Sequence, residues 1–144
     1  MIYRTFLLGF ALLSSLALPF LAVAEDGKTA FKPAPEMLLG TWIVDLRPKP
    51  EAPAYLKKLV ITSVADGKLT GTFYNDTPLQ AGRINITSSD YLCFAFFTDP
   101  GEGAYNTSGR LVSPDRLEGM TLSTSRGFLM PWHAAREKAS PASP

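Results

Sequence analysis

The sequence predicts an all-β domain: an eight-stranded antiparallel up-and-down β-barrel. Eight segments rich in Thr, Ile, Val, Phe and Tyr follow one another between residues 40 and 137, as expected for short strands. Turn sequences separate them, such as ADG at 65–67 and DPG at 99–101. No stretch of ten or more residues after position 24 has a helical period. Eight strands can close into a barrel and so remove the exposed edges of a meander. A two-sheet β-sandwich is the alternative.

Residues 1–24 have the three parts of a secretory signal peptide. Arg4 supplies a positive charge, a long apolar run follows, and Ala22-Val23-Ala24 is a small-residue cleavage site. We expect cleavage between Ala24 and Glu25, and therefore a secreted or periplasmic protein. An uncleaved membrane anchor is the alternative, because the apolar run approaches the length that spans a bilayer.

Composition sets the remaining boundaries of the chain. Residues 25–37 are polar with two prolines and predict a flexible N-terminal arm, 38–137 form the barrel domain, and 138–144 predict a disordered tail. In chain order, the predicted strands are 40–46, 55–64, 68–74, 79–87, 91–98, 103–112, 116–124 and 127–137.

The fifth predicted strand, residues 91–98, is apolar on both faces. Phe94 and Phe96 alternate with Cys93, Ala95 and Phe97, and alternate residues of a strand point to opposite faces. Only one face can belong to the core, so the other needs cover. The strand around Cys93 therefore indicates a homo-oligomer.

Charge and residue counts argue against several function classes. Once Arg4 is removed with the signal peptide, the chain has 13 basic residues (14 less one) and 13 acidic ones, and is formally neutral. A neutral surface gives no electrostatic reason to expect nucleic acid or an acidic membrane as a partner. The single cysteine, Cys93, rules out an internal disulfide. It is interpreted as a buried apolar residue, with an intermolecular disulfide as the alternative.

The chain also lacks the usual signatures of catalysis. His133 is the only histidine, and no Gly-x-Ser-x-Gly, His-Glu-x-x-His or phosphate-loop motif occurs. We therefore expect no catalytic residues, no metal site, no cofactor and no enzymatic activity.

Three pieces of the sequence point to one type of barrel. GTW at 40–42 opens the first predicted strand, ADGKLTGTFY occupies 65–74, and WHAAR occupies 132–136 in the last strand. Together they resemble the calycins, the lipocalin and avidin type of eight-stranded barrel, with the avidin and streptavidin pattern nearest. The resemblance implies the fold more than the ligand. Avidin-type sites use several tryptophans, whereas this chain has two, and Ser140 stands where those proteins carry an aspartate.

Trp42 and Arg136 are predicted to be structural partners. In a closed up-and-down barrel the first and last strands are neighbours, so the start of one lies beside the end of the other. The Arg136 guanidinium can then lie over the Trp42 indole while it donates hydrogen bonds to nearby carbonyl oxygens.

The same connectivity predicts where the barrel binds. The connections after the first, third, fifth and seventh predicted strands share one rim and include the longest loop, residues 47–54. Long loops over a rigid scaffold are where barrels bind ligands. We predict a ligand site at the mouth formed by loops 47–54, 75–78, 99–102 and 125–127. The candidate ligand-binding residues are Asp45, Tyr55, Tyr74, Asn75, Tyr105, Asn106, Arg126 and Trp132.

Two functions without catalysis stay open. The first is an exported protein that holds an unknown small molecule at the barrel mouth. The second is a protein–protein module, such as an exported protease inhibitor that acts through its arm, residues 25–37. Some bacterial metalloprotease inhibitors are similar Gly-x-Trp barrels. A hollow barrel favours the first function, and a filled barrel favours the second.

Overall fold

The computed structural model describes residues 31–85, 91–101 and 103–138. The predicted signal peptide and most of the predicted tail lie outside these residues. A short 3-10 helix, Pro35–Leu38, precedes the strands β1 (Gly40–Asp45), β2 (Leu56–Ala65), β3 (Lys68–Phe73), β4 (Thr77–Pro78), β5 (Gln80–Ile84), β6 (Leu92–Thr98), β7 (Tyr105–Ser113), β8 (Arg116–Ser123) and β9 (Phe128–Arg136). No helix within the described ranges is long and apolar enough to cross a membrane.

The strands form one closed antiparallel sheet. Their order is β2-β1-β9-β8-β7-β6-β5-β3-β4, and an additional pairing of β2 with β3 closes it. The short strands β4 and β5 both pair with β3 and together fill one strand position. The eight-stranded up-and-down barrel is therefore confirmed, and the β-sandwich alternative is wrong. The fourth predicted strand corresponds to β5; Ala81, with a φ of 50°, lies inside it, where the pairing with β6 shifts register.

Strict alternation in β6 sets its inner and outer faces. Phe94 and Phe96 are buried in the barrel, whereas Cys93, Ala95 and Phe97 are exposed on the outside. The interpretation of Cys93 as a buried apolar residue is therefore wrong, because its position in the alternation directs the thiol outward. The homo-oligomer through this strand stays a prediction.

The closed end of the barrel is sealed by the residues that enter and leave it. The Trp42 indole is fully buried and donates a hydrogen bond of 2.8 Å to the Leu38 carbonyl. The structure brings Arg136 to this indole, with 4.1 Å between the guanidinium carbon and the ring centre. Its guanidinium also donates to the carbonyls of Met37, Leu39 and Pro114. The 3-10 helix thus includes the last three residues of the predicted arm, Pro35, Glu36 and Met37.

A second layer of large side chains fills the middle of the barrel. The rings of Trp132 and Phe94 lie 6.4 Å apart, centre to centre. Gly109 and Gly119 face each other in β7 and β8 and leave room for these rings. A Cβ at Gly109 would lie 2.7 Å from the Phe94 ring and 2.8 Å from the Trp132 ring. The two glycines are therefore a packing requirement of this layer.

Candidate functional site

The barrel has a cavity at its mouth. A cavity of about 240 Å³ lies there, between the ends of the strands that the long connections join. This volume equals roughly eight water molecules at liquid density, and it lies just below the range of about 300–1,000 Å³ typical of drug-sized ligands. We call it the mouth cavity. Its lining consists of Leu46, Pro48, Tyr55, Phe73, Tyr74, Thr98, Tyr105, Thr121, Arg126, Phe128 and Met130.

A pair of tyrosines forms one side of the mouth cavity. Tyr55 directly precedes β2 and Tyr74 follows β3; their hydroxyl oxygens are 2.5 Å apart and their rings meet edge to face. The Lys57 ammonium lies 5.1 Å and 4.7 Å from the two ring centres. The hydrogen bond with Tyr55, with burial in second place, raises the pKa of the Tyr74 hydroxyl. The Tyr74 hydroxyl therefore stays neutral near pH 7 and can donate or accept.

The turn that presents Tyr74 is strained. Tyr74, Asn75 and Asp76 have successive φ angles of 52°, 60° and 59°, the left-handed region that Asn and Asp tolerate and Tyr rarely adopts. Thr77 stabilises the turn through a 2.9 Å hydrogen bond from its hydroxyl to the Tyr74 carbonyl. Backbone strain of this kind concentrates at binding sites.

The opposite side of the mouth cavity carries a cation and two further rings. Arg126, in the turn between β8 and β9, donates a 3.0 Å hydrogen bond to the Tyr105 hydroxyl. Its guanidinium carbon lies 5.8 Å from the centre of the Phe128 ring, and the Tyr105 and Phe128 rings are 6.1 Å apart. Aromatic surface with a few polar tips is the usual lining of a small-ligand site.

The floor of the mouth cavity is partly polar. Thr98 and Thr121 are buried in its lining. The Thr121 hydroxyl lies 3.0 Å from that of Thr107, which is also buried. Met130 completes the floor next to Thr121, its partner across the β8–β9 ladder. The floor thus offers hydroxyls to a ligand's polar group beside a thioether side chain that adapts its shape.

The structure brings four of the eight candidate ligand-binding residues to the mouth cavity and leaves four out of it. Tyr55, Tyr74, Tyr105 and Arg126 line it. Their role in binding stays a prediction, because the structure contains no ligand. Asp45, Asn75, Asn106 and Trp132 do not line it.

Two of these four residues support its rim from outside. Asn75 accepts a 2.9 Å hydrogen bond from the Lys57 ammonium that covers the tyrosine pair. Asp45 is buried on the outer side of β1 and pairs with Arg47, which lowers the carboxyl pKa to about 2, chiefly through the side-chain hydrogen bond. This pair fixes the start of the loop that carries Pro48 over the mouth cavity.

The other two residues do not face the mouth cavity, and their role in binding stays a prediction. Asn106 stands between Phe97 and Leu122 in the cross-strand ladder, on the outer face of the barrel. Trp132 lies in the middle of β9 rather than at its start, one inward position below Met130. Its indole N–H is buried and finds no hydrogen-bond partner within the described part of the chain.

Sequence reasoning missed Thr98, Thr121, Phe128 and Met130. Phe128 and Met130 could have been predicted from β9, because alternate residues of a strand share a face: if Trp132 points inward, Met130 and Phe128 point inward too. Thr98 could have been found in the same way from Phe94 and Phe96 in β6. Thr121 had no comparable signal, since buried threonines are uncommon in a core.

Neither metal chemistry nor a known relative adds to this description. Among the described residues, no three His, Cys, Asp or Glu side chains stand close enough to hold a metal ion together. Comparisons of the chain with protein-family models, curated proteins and solved structures give no match. The barrel topology is therefore the part of the calycin resemblance that an observation supports.

Proposed function

We propose that the chain is an exported binding protein that holds a small, mainly apolar ligand in the mouth cavity. The observation that carries the proposal is the cavity of about 240 Å³ lined by three tyrosines and two phenylalanines, at the rim where the long loops meet. A cavity at the mouth beside the loop 47–54 favours ligand binding, whereas the filled middle and closed end of the barrel are what the arm-borne protein module would show. Catalysis is not part of the proposal.

The lining suggests the shape and chemistry of the ligand. Tyr55 and Tyr74 on one side, and Tyr105 and Phe128 on the other, offer aromatic surface that suits a single planar ring. The hydroxyl of Thr121 on the floor suits one hydrogen-bonding group at the inner end of that ring. A compound with two or more fused rings and long substituents would exceed the volume.

The first test is native mass spectrometry of the protein purified gently from the exported fraction. A retained mass beyond the mature chain supports the proposal. A second test applies single-ring probes (phenol, benzamide, benzoate and indole) to ligand-free protein and detects binding by saturation-transfer NMR. Saturable binding of at least one probe is expected. No retained mass together with no probe binding would overturn the proposal.

A cavity-filling variant places the binding at the mouth. Thr121→Leu adds apolar volume to the floor and should abolish probe binding. Thr62→Leu is the matched control, because Thr62 is exposed on the outer side of the barrel, and it should bind as the wild type does. Equal binding by both variants would place the probe elsewhere.

A further inference from the structure

The outer face of the barrel has a second concave site that the proposed function does not use. It is a groove of about 950 Å³ between the segment Arg47–Pro50 and the outward side chains of β6–β9. We call it the outer groove. Pro48 lines both the outer groove and the mouth cavity; the other residues of the two linings differ, and the outer groove reaches Phe94 and Trp132 where Gly109 and Gly119 leave the wall thin.

The strand register orders the outer face into bands. Arg110, Glu118 and His133 are direct cross-strand neighbours in β7, β8 and β9 and form a polar band nearer the closed end. Met120 and Pro131 are neighbours in the next outward row toward the mouth. Phe97, Leu122 and Leu129 stand in the row beyond and are 42%, 41% and 62% exposed. A charged band therefore borders an apolar one.

The charged band is positive in sum. Arg47, Lys49, Arg110 and Arg116 line the outer groove. Among the described residues, the carboxylates recorded in ion pairs with these four cations are Asp45, which pairs with Arg47, and Glu118. That leaves a formal surplus of two positive charges in a mature chain whose total is zero.

The two arginines of β7 and β8 share one acid. Glu118 accepts from Arg116 at 2.8 Å and from Arg110 at 3.4 Å. The side chains of Arg110 and Arg116 are 50% and 60% exposed. Both guanidinium groups therefore keep donors for a partner, and a second carboxylate would complete the charge balance.

We propose that the outer groove binds an acidic, amphipathic peptide segment of a partner protein. Its carboxylates pair with Arg110, Arg116 and Lys49, and its apolar side chains pack on Met120 and Pro131. Charge complementarity and the adjoining apolar band select this chemistry. The segment Arg47–Pro50 borders the site on one side, so the site is an open groove that can take one extended chain.

The test measures fluorescence anisotropy of a labelled ten-residue peptide that alternates Glu and Leu, with a Lys-Leu peptide as the charge-reversed probe. We expect saturable binding of the Glu-Leu peptide and no comparable binding of the Lys-Leu peptide. Raising the salt concentration should weaken binding, because the pairs are solvent-exposed. The variant Arg110→Gln/Arg116→Gln should lose at least tenfold in affinity.

The control variant also removes two positive charges, at residues that do not line the outer groove. Lys68→Gln/Arg83→Gln alters a cross-strand pair of exposed residues in β3 and β5 and should keep wild-type affinity. The proposal is overturned if neither peptide saturates, if both bind equally, or if the two double variants behave alike. Binding to phosphatidylglycerol vesicles that depends on Arg110 and Arg116, without peptide binding, would also overturn it, in favour of a lipid surface.

Discussion

Replacing Arg136 by lysine tests how the closed end of the barrel is held together. The arginine donates to three carbonyls on two separate segments: Met37 and Leu39 before β1, and Pro114 between β7 and β8. Lysine keeps the charge, but its ammonium is a single point on a flexible stem and cannot reach both segments while it covers the Trp42 ring.

The cost can be worked from these contacts. Losing two hydrogen bonds at about 1 kcal/mol each, with part of a cation–π contact worth about 0.5–1 kcal/mol, predicts a loss of about 2–3 kcal/mol. The ion pair with Asp115 adds little, because that carboxylate is 77% exposed. For a domain of this size, the loss corresponds to a fall in Tm of about 10–20 °C.

Urea denaturation followed by tryptophan fluorescence and circular dichroism measures the change. The control is Arg110→Lys, because Arg110 makes one long, exposed contact of 3.4 Å and should change stability by less than about 0.5 kcal/mol. If Arg136→Lys behaved like this control, the sealing role of the guanidinium would be refuted.

Three further predictions concern other parts of the barrel. Gly119→Ala should cost more than about 3 kcal/mol in urea denaturation, because its methyl group would collide with the indole that packs over this glycine; a near-neutral result would contradict the described packing. Asp45 has its pKa lowered to about 2 by Arg47, so its contribution is full above about pH 4 and is lost as the pH falls toward 2. In Asp45→Asn, the urea midpoint should change less with pH over that range. A pH dependence equal to that of the wild type would contradict the ion pair. The tyrosinate absorbance of Tyr74 should appear at a pH above the ordinary pKa of tyrosine. Tyr55→Phe should lower the pKa of Tyr74 toward that ordinary value, and an unshifted titration would contradict the hydrogen bond.

Local patterns were enough to predict the barrel. Turn sequences at 65–67 and 113–115 marked the ends of the strands. Closure was predicted because it removes the two exposed edges of an eight-stranded meander. The neighbour relation of first and last strands then followed from connectivity alone. The register shift in β5 was not predictable, because Ala81 adopts a positive φ that alanine rarely takes.

The mouth was harder to predict than the fold. Residues that begin or end strands, such as Tyr55 and Tyr105, were found from connectivity. The depth of Trp132 within the barrel was misjudged, although the predicted last strand, 127–137, already began five residues before it. Pro131 continues the pairing with β8, and the mouth position belongs to Phe128.

The hollow mouth follows from how the other two layers are filled. At the closed end, Trp42 and Leu38 occupy the axis and Arg136 seals it. In the middle, Trp132 occupies the axis because two glycines make room for it. The mouth layer has no residue of that size at its centre; its floor side chains are threonines and a methionine, and its large rings stand at the rim. Stability and the proposed binding therefore involve different layers. Substitutions at Arg136 should lower Tm without changing probe affinity at equal folded fraction, whereas Thr121→Leu should remove probe affinity even in fully folded protein.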